Sequence, residues 1–215
     1  MSFYLILFFL FFFLAVIFGI ALELYKMSRG CFLDVIPSYL KRLKTRNPRT
    51  AAICLYNIAN LYTWAGNYVQ AQEWLAKIQA ETLRKSLLPS YYFLRVLNAL
   101  FLDQPPESYA PALENLRKHD RDPQSLLLLS YIEDLRGNPL TSDEFISRYL
   151  EMSKRRFRLN LLVLPRTLRK AQMGFFLGHY YLKRNPALAQ QHLSELASIG
   201  FKNCYSEQAG CFERR

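Results

Sequence analysis

The sequence predicts an all-α chain: an N-terminal transmembrane helix followed by a short α-solenoid of about four antiparallel helix pairs. Three observations carry that expectation. Residues 3–22 are an uncharged apolar run. Beyond it, apolar residues recur at i, i+3, i+4 and i+7, the spacing of one helix face. Gly, Pro and Asn fall between the periodic runs, where they end one helix and start the next.

The chain has 215 residues, 51% of them apolar and 15% aromatic, which excludes a disordered tail protein. The formal net charge is +11, from 28 basic and 17 acidic residues. Such an excess suits an acidic partner or an anionic surface and is not a fold argument. Cys31, Cys54, Cys204 and Cys211 form no CxxC pair. They are read as reduced thiols, with Cys54 a small core residue.

Residues 1–25 are assigned as a transmembrane anchor. FYLILFFLFFFLAVIFGIAL, residues 3–22, carries no charge and seven phenylalanines. As a helix rising about 1.5 Å per residue it spans about 30 Å, the hydrocarbon thickness of a bilayer. Nothing basic precedes it, and ELYKMSRG follows without a small-residue cleavage pattern, so it reads as an anchor and not a cleaved signal. The basic flank lies on its C-terminal side. The positive-inside bias then places the N-terminus outside and the soluble domain in the cytoplasm.

Residues 26–48 read as a basic juxtamembrane connector with a short helix at about 37–46. Lys41, Arg42 and Lys44 there, with Arg155, Arg156 and Arg158 further on, form the candidate basic surface. An acidic partner or anionic lipid fits it. Nucleic acid is not expected, because aromatic residues do not interleave with the charges.

Residues 49–199 read as the helical domain. Asn47-Pro48 is a helix-start signal. Leu55, Ile58, Ala59 and Tyr62 make one helix face, Gly66-Asn67 breaks it, and Tyr68, Ala71, Leu75 and Ile78 make the facing stripe. Pairs 89–103 with 107–119, 123–136 with 141–154, and 165–184 with 186–199 follow. Asp122 is expected to cap one helix, and Thr141 with Glu144 to form a capping box on another. Glu133-Asp134 and Asp143-Glu144 are read as solvated or helix-end acids. Residues 200–215 are a C-terminal tail, either a capping segment or a frayed end.

The hairpin at residues 52–85 resembles the tetratricopeptide repeat (TPR), a unit of about 34 residues. The resemblance rests on Leu55, Ile58-Ala59, Tyr62, Gly66, Tyr68, Ala71 and Leu75, counted from Ala52 as the first position. Ile78 departs from the family's small residue, and Leu83 stands where its late proline would. Leu177-Gly178, Tyr181 and Ala189 repeat part of the pattern. The resemblance implies a short TPR-like α-solenoid whose first helices line a partner-binding groove. It places Tyr56, Asn60, Thr63, Tyr92, Arg95, Phe175 and His179 in that groove, beside Ile53, Ala99 and Gln172. Ile53 and Tyr56 stand where a carboxylate clamp would need lysines. Aromatic docking of an extended or helical peptide therefore fits better.

The chain contains no P-loop, G-x-S-x-G or HExxH. His119, His179 and His192 lack Cys or Asp partners at metal spacing, so no metal, no cofactor and no catalytic residue is expected. The combined expectation is a membrane-anchored protein–protein interaction scaffold that binds a protein or peptide partner. The alternative is a subunit of a membrane complex or an anionic-lipid-surface binder acting through the basic face.

Overall fold

The computed structural model describes residues 3–44, 47–119, 122–156 and 166–212. Among these there are eleven α-helices and no strand. Helix α1, Phe3–Ser28, is 26 residues long. From Leu7 to Leu22 its apolar side chains stand exposed, Phe8 at 65% and Phe11 at 76%. Among the described residues it is the one helix long and apolar enough to cross a membrane. Leaving such a band in water forfeits about 25 cal/mol for each Å² of apolar surface, so the helix needs an apolar environment.

After α1 the chain turns at Gly30, whose φ is +78°, and passes through a 3-10 turn at Leu33–Val35 into α2, Ile36–Arg42. The connector helix is thus shorter than the sequence suggested. Phe32, Val35 and Ile36 are buried and fasten the connector to the body. Arg42 Nη2 donates to Glu23 Oε1 at 2.8 Å, tying the end of α2 to α1.

The body is built from consecutive helices that pack on each other. Helix α3, Pro48–Trp64, packs on α4, Tyr68–Ala76; α5, Leu88–Phe101, packs on α6, Pro106–Arg117. Helix α7, Pro123–Leu135, packs on α8, Pro139–Arg156, and α9, Arg166–Tyr181, on α10, Pro186–Ala197. The side chain of Asn47 caps α3 by accepting from the N–H groups of Arg49 and Thr50 at 3.0 and 3.3 Å. Ala59 and Ala71 are fully buried where α3 meets α4. Cys54 is buried in the same helix, and burial raises its thiol pKa.

Helix α4 ends early, at Ala76. Ile78 and Leu83 are nonetheless buried, and short 3-10 turns carry the chain on to α5. The capping box at Thr141 does not form. Helix α8 starts at Pro139, and Asn138 supplies the first helical acceptor, its carbonyl taking the Ser142 N–H at 3.1 Å. Proline at the first helical position wins, because its missing N–H costs nothing there.

Three turns of the body share one chemistry with the turn at Gly30, where the Cys31 N–H bonds back to the Lys26 carbonyl at 3.0 Å. The residue after the helix cap has positive φ: Gly66 at +78°, Asp103 at +50° and Gly137 at +77°. The next N–H then bonds back to a carbonyl five residues earlier, Asn67 to Tyr62, Gln104 to Ala99 and Asn138 to Glu133. This is the left-handed helix end that favours glycine.

Each junction between pairs carries a polar tie. Asn98 Nδ2 donates to Thr63 Oγ1 at 2.9 Å, and both residues are fully buried. Gln72 and Gln104 exchange amide hydrogen bonds at 3.0 Å. Glu133 is buried and accepts from Arg117 at 2.6 Å and Asn138 at 2.8 Å. Arg184 grips both carboxylate oxygens of Asp134 at 3.0 Å and reaches Asp143 at 2.8 Å. Tyr180 donates to the same Asp143 at 2.9 Å. Glu133, Asp134 and Asp143 are therefore inter-helix partners, not solvated helix ends. Long-range charge pairing overrode the helix-end expectation.

Two glycines set the approach of α9 and α10. A Cβ on Gly174 would lie 2.8 Å from the His192 carbonyl oxygen, whereas one on Gly178 would meet the Leu193 side chain at 2.8 Å. Backbone cannot yield as a leucine tip can. Gly174→Ala is expected to cost about 1–3 kcal/mol by overpacking even after a gain of about 1 kcal/mol in helix propensity. Gly178→Ala is expected to lie within about 1 kcal/mol of the parent. Chemical denaturation of the full chain in detergent, read by circular dichroism, checks the order of the two.

Candidate partner-binding groove

The last helix decides what becomes of the expected groove. Asn203 starts α11, Cys204–Phe212: its Oδ1 accepts from the N–H groups of Tyr205 and Ser206 at 3.1 and 3.2 Å. Its own N–H donates to Ser206 Oγ at 3.0 Å, so the two residues cap each other reciprocally. The tail thus holds a helix packed on α9, α10 and α3, which fits the capping-segment alternative and not the frayed end. The Asn-x-x-Ser spacing and the aromatic Tyr205 were the signals in the sequence that could have found it.

Tyr205 is buried among Phe101, Phe175 and Phe176, with ring centroids 6.4, 5.7 and 5.8 Å away. Tyr131 closes the cluster at 5.5 Å from Phe175 and 5.6 Å from Phe176. Burial pushes the Tyr205 phenol well above its usual pKa, and its hydrogen bond with Gln172 opposes that shift. Beside it, Tyr68 donates its hydroxyl to the Cys204 carbonyl at 3.3 Å. Burial also raises the Cys204 thiol pKa, so this cysteine is a neutral core residue and not a reactive thiolate.

The structure does not bring the predicted groove residues onto one surface. Phe175 is fully buried in the Tyr205 cluster, and Gln172 is buried at its edge. His179 sits edge-on to Tyr131, 4.6 Å between centroids. Thr63 is buried in its bond with Asn98 and so cannot touch a partner. Tyr56 is half-buried, bonded to Ser90, and burial pushes its phenol up to about 12. Asn60 is half-buried on the same helix. Tyr92 stacks on His119 at 6.2 Å, between α5 and the end of α6. The physical reason is direct contact of α5 with α9 through Phe93–Phe176 and Phe101–Phe175, at 6.4 and 5.7 Å. Their apolar faces meet each other and α11, and no open groove is left at this level.

Arg95 alone among the groove residues is exposed. It lines a cleft of about 220 Å³ with Gln72, Gln104, Ser108 and Tyr109. Its guanidinium lies 5.9 Å from the Tyr91 ring centre, and its Nη1 donates to the Tyr91 hydroxyl at 3.5 Å. The cleft therefore offers one cation beside amide and hydroxyl groups, a set that suits a carboxylate on an extended segment. A second cleft, of about 570 Å³, is bordered by Arg117, Arg136, Arg148 and Phe145. Glu133 binds two of those arginines, at 2.6 and 3.3 Å, and reduces its net charge.

Of the candidate basic surface, Lys41, Arg42 and Lys44 are exposed. Arg155 and Arg156 end α8, and Arg158 lies outside the described residues. Among the described residues there is no group of His, Cys, Asp and Glu arranged to hold a metal ion. No protein-family model, curated protein or solved structure matches the chain.

Tyr205→Ala is expected to cost about 3–5 kcal/mol, as for a large buried aromatic. Tyr205→Phe is expected to cost about 1 kcal/mol, because it keeps the ring and loses the Gln172 bond. Equilibrium unfolding of the two variants separates them. A pH effect follows from His179 and His192. Burial is the largest influence on both and lowers their pKa below the ordinary 6.5. The folded chain then binds fewer protons than the unfolded one below pH 6.5. Their contribution to stability is complete above that pH and declines as pH falls through it. The melting temperature is expected to drop between pH 7.5 and pH 5.5, with a smaller drop in His179→Gln.

Proposed function

We propose that the protein is a membrane-anchored scaffold whose TPR-like helical repeats recruit a protein partner on the cytoplasmic side. The observation that carries this reading is the junction of α1 with the body. An exposed apolar helix leads through one turn at Gly30 into buried Phe32, Val35 and Ile36, ahead of the consecutive helix pairs. Such a junction holds a recognition body at a fixed attitude to a membrane. The pairing of consecutive helices from α3 to α10 supports the repeat reading.

The recognition surface in this reading is the Arg95 cleft. The aromatic face of the first helices is already covered by α11, so an acidic, extended segment docks at the exposed Arg95, beside the half-buried Gln72–Gln104 amide pair. A second reading, a lipid-facing or membrane-complex subunit, draws on the exposed Lys41, Arg42 and Lys44 beside the anchor.

Affinity capture with the full chain in nanodiscs tests the scaffold. Arg95→Glu is expected to reduce retention of the specific partner at least about tenfold, the effect of reversing a charge against a carboxylate. Lys170→Glu, at an exposed position on α9, is expected to leave it unchanged. Equal retention by both variants removes the Arg95 cleft as the binding surface.

A further inference from the structure

The junction after the anchor has a geometry that fixes what lies against it. Glu23 is the first charged residue after the apolar run that ends at Leu22, so it marks the depth where hydrocarbon gives way to headgroups. The chain leaves α1, turns at Gly30 and comes back. Arg42 at the end of α2 bonds Glu23 at 2.8 Å, and its guanidinium lies 5.2 Å from the Tyr39 ring centre. The C-terminal end of α2 is therefore held at the level of Glu23.

At that level Lys41 and Lys44 point into solvent, and between α1 and α2 Arg29 is exposed as well. Leu40 is 40% exposed beside them, and Leu33 is 46% exposed one turn before α2. The opposing acids are Glu23, already taken by Arg42, and the exposed Asp34 at the start of the 3-10 turn. Free ammonium groups beside a bare leucine, held where headgroups begin, fit one partner: an anionic phospholipid surface.

We propose that residues 33–44 dock on the inner leaflet, with Lys41 and Lys44 on lipid phosphates or carboxylates and Leu40 at the acyl boundary. This goes beyond anchoring: the body is clamped to the bilayer by its own connector in a manner that depends on lipid charge. It rests on the reading of α1 as a membrane-spanning helix.

The experiment uses the full chain with Leu40→Cys as the labelling site in a Cys31→Ser, Cys211→Ser background. Cys54 and Cys204 are buried. The protein carries a polarity-sensitive fluorophore and is reconstituted into two kinds of vesicle. One is phosphatidylcholine, and the other contains about one third phosphatidylserine. Both contain a lipid quencher placed near the headgroup. Quenching is expected to be at least about twofold stronger in the anionic vesicles, and to fall to the neutral-vesicle level with Lys41→Glu/Lys44→Glu or in about 0.5 M salt. Equal quenching in both vesicles, or no change with the double variant, overturns the docking while resistance to alkaline carbonate keeps the anchor. Release of the chain by carbonate overturns the anchor and the docking together.

Discussion

Insertion of Tyr205 among Phe101, Phe175 and Phe176 is the contact on which the rest of the body depends. The segment around it touches parts of the chain that are remote in sequence. Phe201 packs so closely on Gly30 that a Cβ there would lie 2.7 Å from its ring, and it meets Phe32 at 5.7 Å. Cys204 takes the hydroxyl of Tyr68, 136 residues away. Tyr205 then spans to α5 and α9. A helix pair can form locally, but these contacts close a long loop and are made against its entropy. What offsets that cost is burial: a fully buried aromatic contributes about 1.5–3 kcal/mol, and edge-to-face neighbours add to it.

Apolar contact is not directional, so it does not fix which helix faces which. The polar ties do. Thr63 with Asn98, Gln72 with Gln104, Arg117 with Glu133 and Arg184 with Asp134 each join one pair to the next. A shift of one residue at any junction would strand a buried polar group, at about 1–3 kcal/mol. Register is thus specified by a few groups while the aromatics supply most of the stabilisation. The consequence for function is a division of surfaces. Of the aromatic residues that would make a docking groove, Phe175 is inside and Tyr56 and Tyr92 are half-buried. Among the exposed groups are charges: Arg95 over its cleft, and Lys41 and Lys44 at and just after the end of α2.

Much of the architecture was legible in local pattern. The uncharged run at 3–22, the Asn47 and Asp122 caps and the Gly66 and Gly137 turns follow from periodicity and from residues with few backbone alternatives. What was not legible was long-range. Nothing local in Glu133 or Asp134 says that arginines from other helices will reach them. The groove residues were assigned by helix face, which assumes that the face stays open. Phe175 sits on the intended face, yet α11 covers it. Tyr92 and Arg95 share a helix with Phe101 but point to different neighbours. The tail was left open between a capping segment and a frayed end because its pattern is short, although Asn203 and Ser206 carried a capping signal.

Amide hydrogen exchange on the full chain and on a chain ending at Gly200, both in nanodiscs, tests the closure by the C-terminal segment most directly. If that segment joins the first and last helix pairs, truncation strips protection from α3 and α9 together, although they are separated by more than a hundred residues. Protection in α3 that is unchanged while α9 alone loosens would contradict the account, and would make α11 a local cover on the last pair.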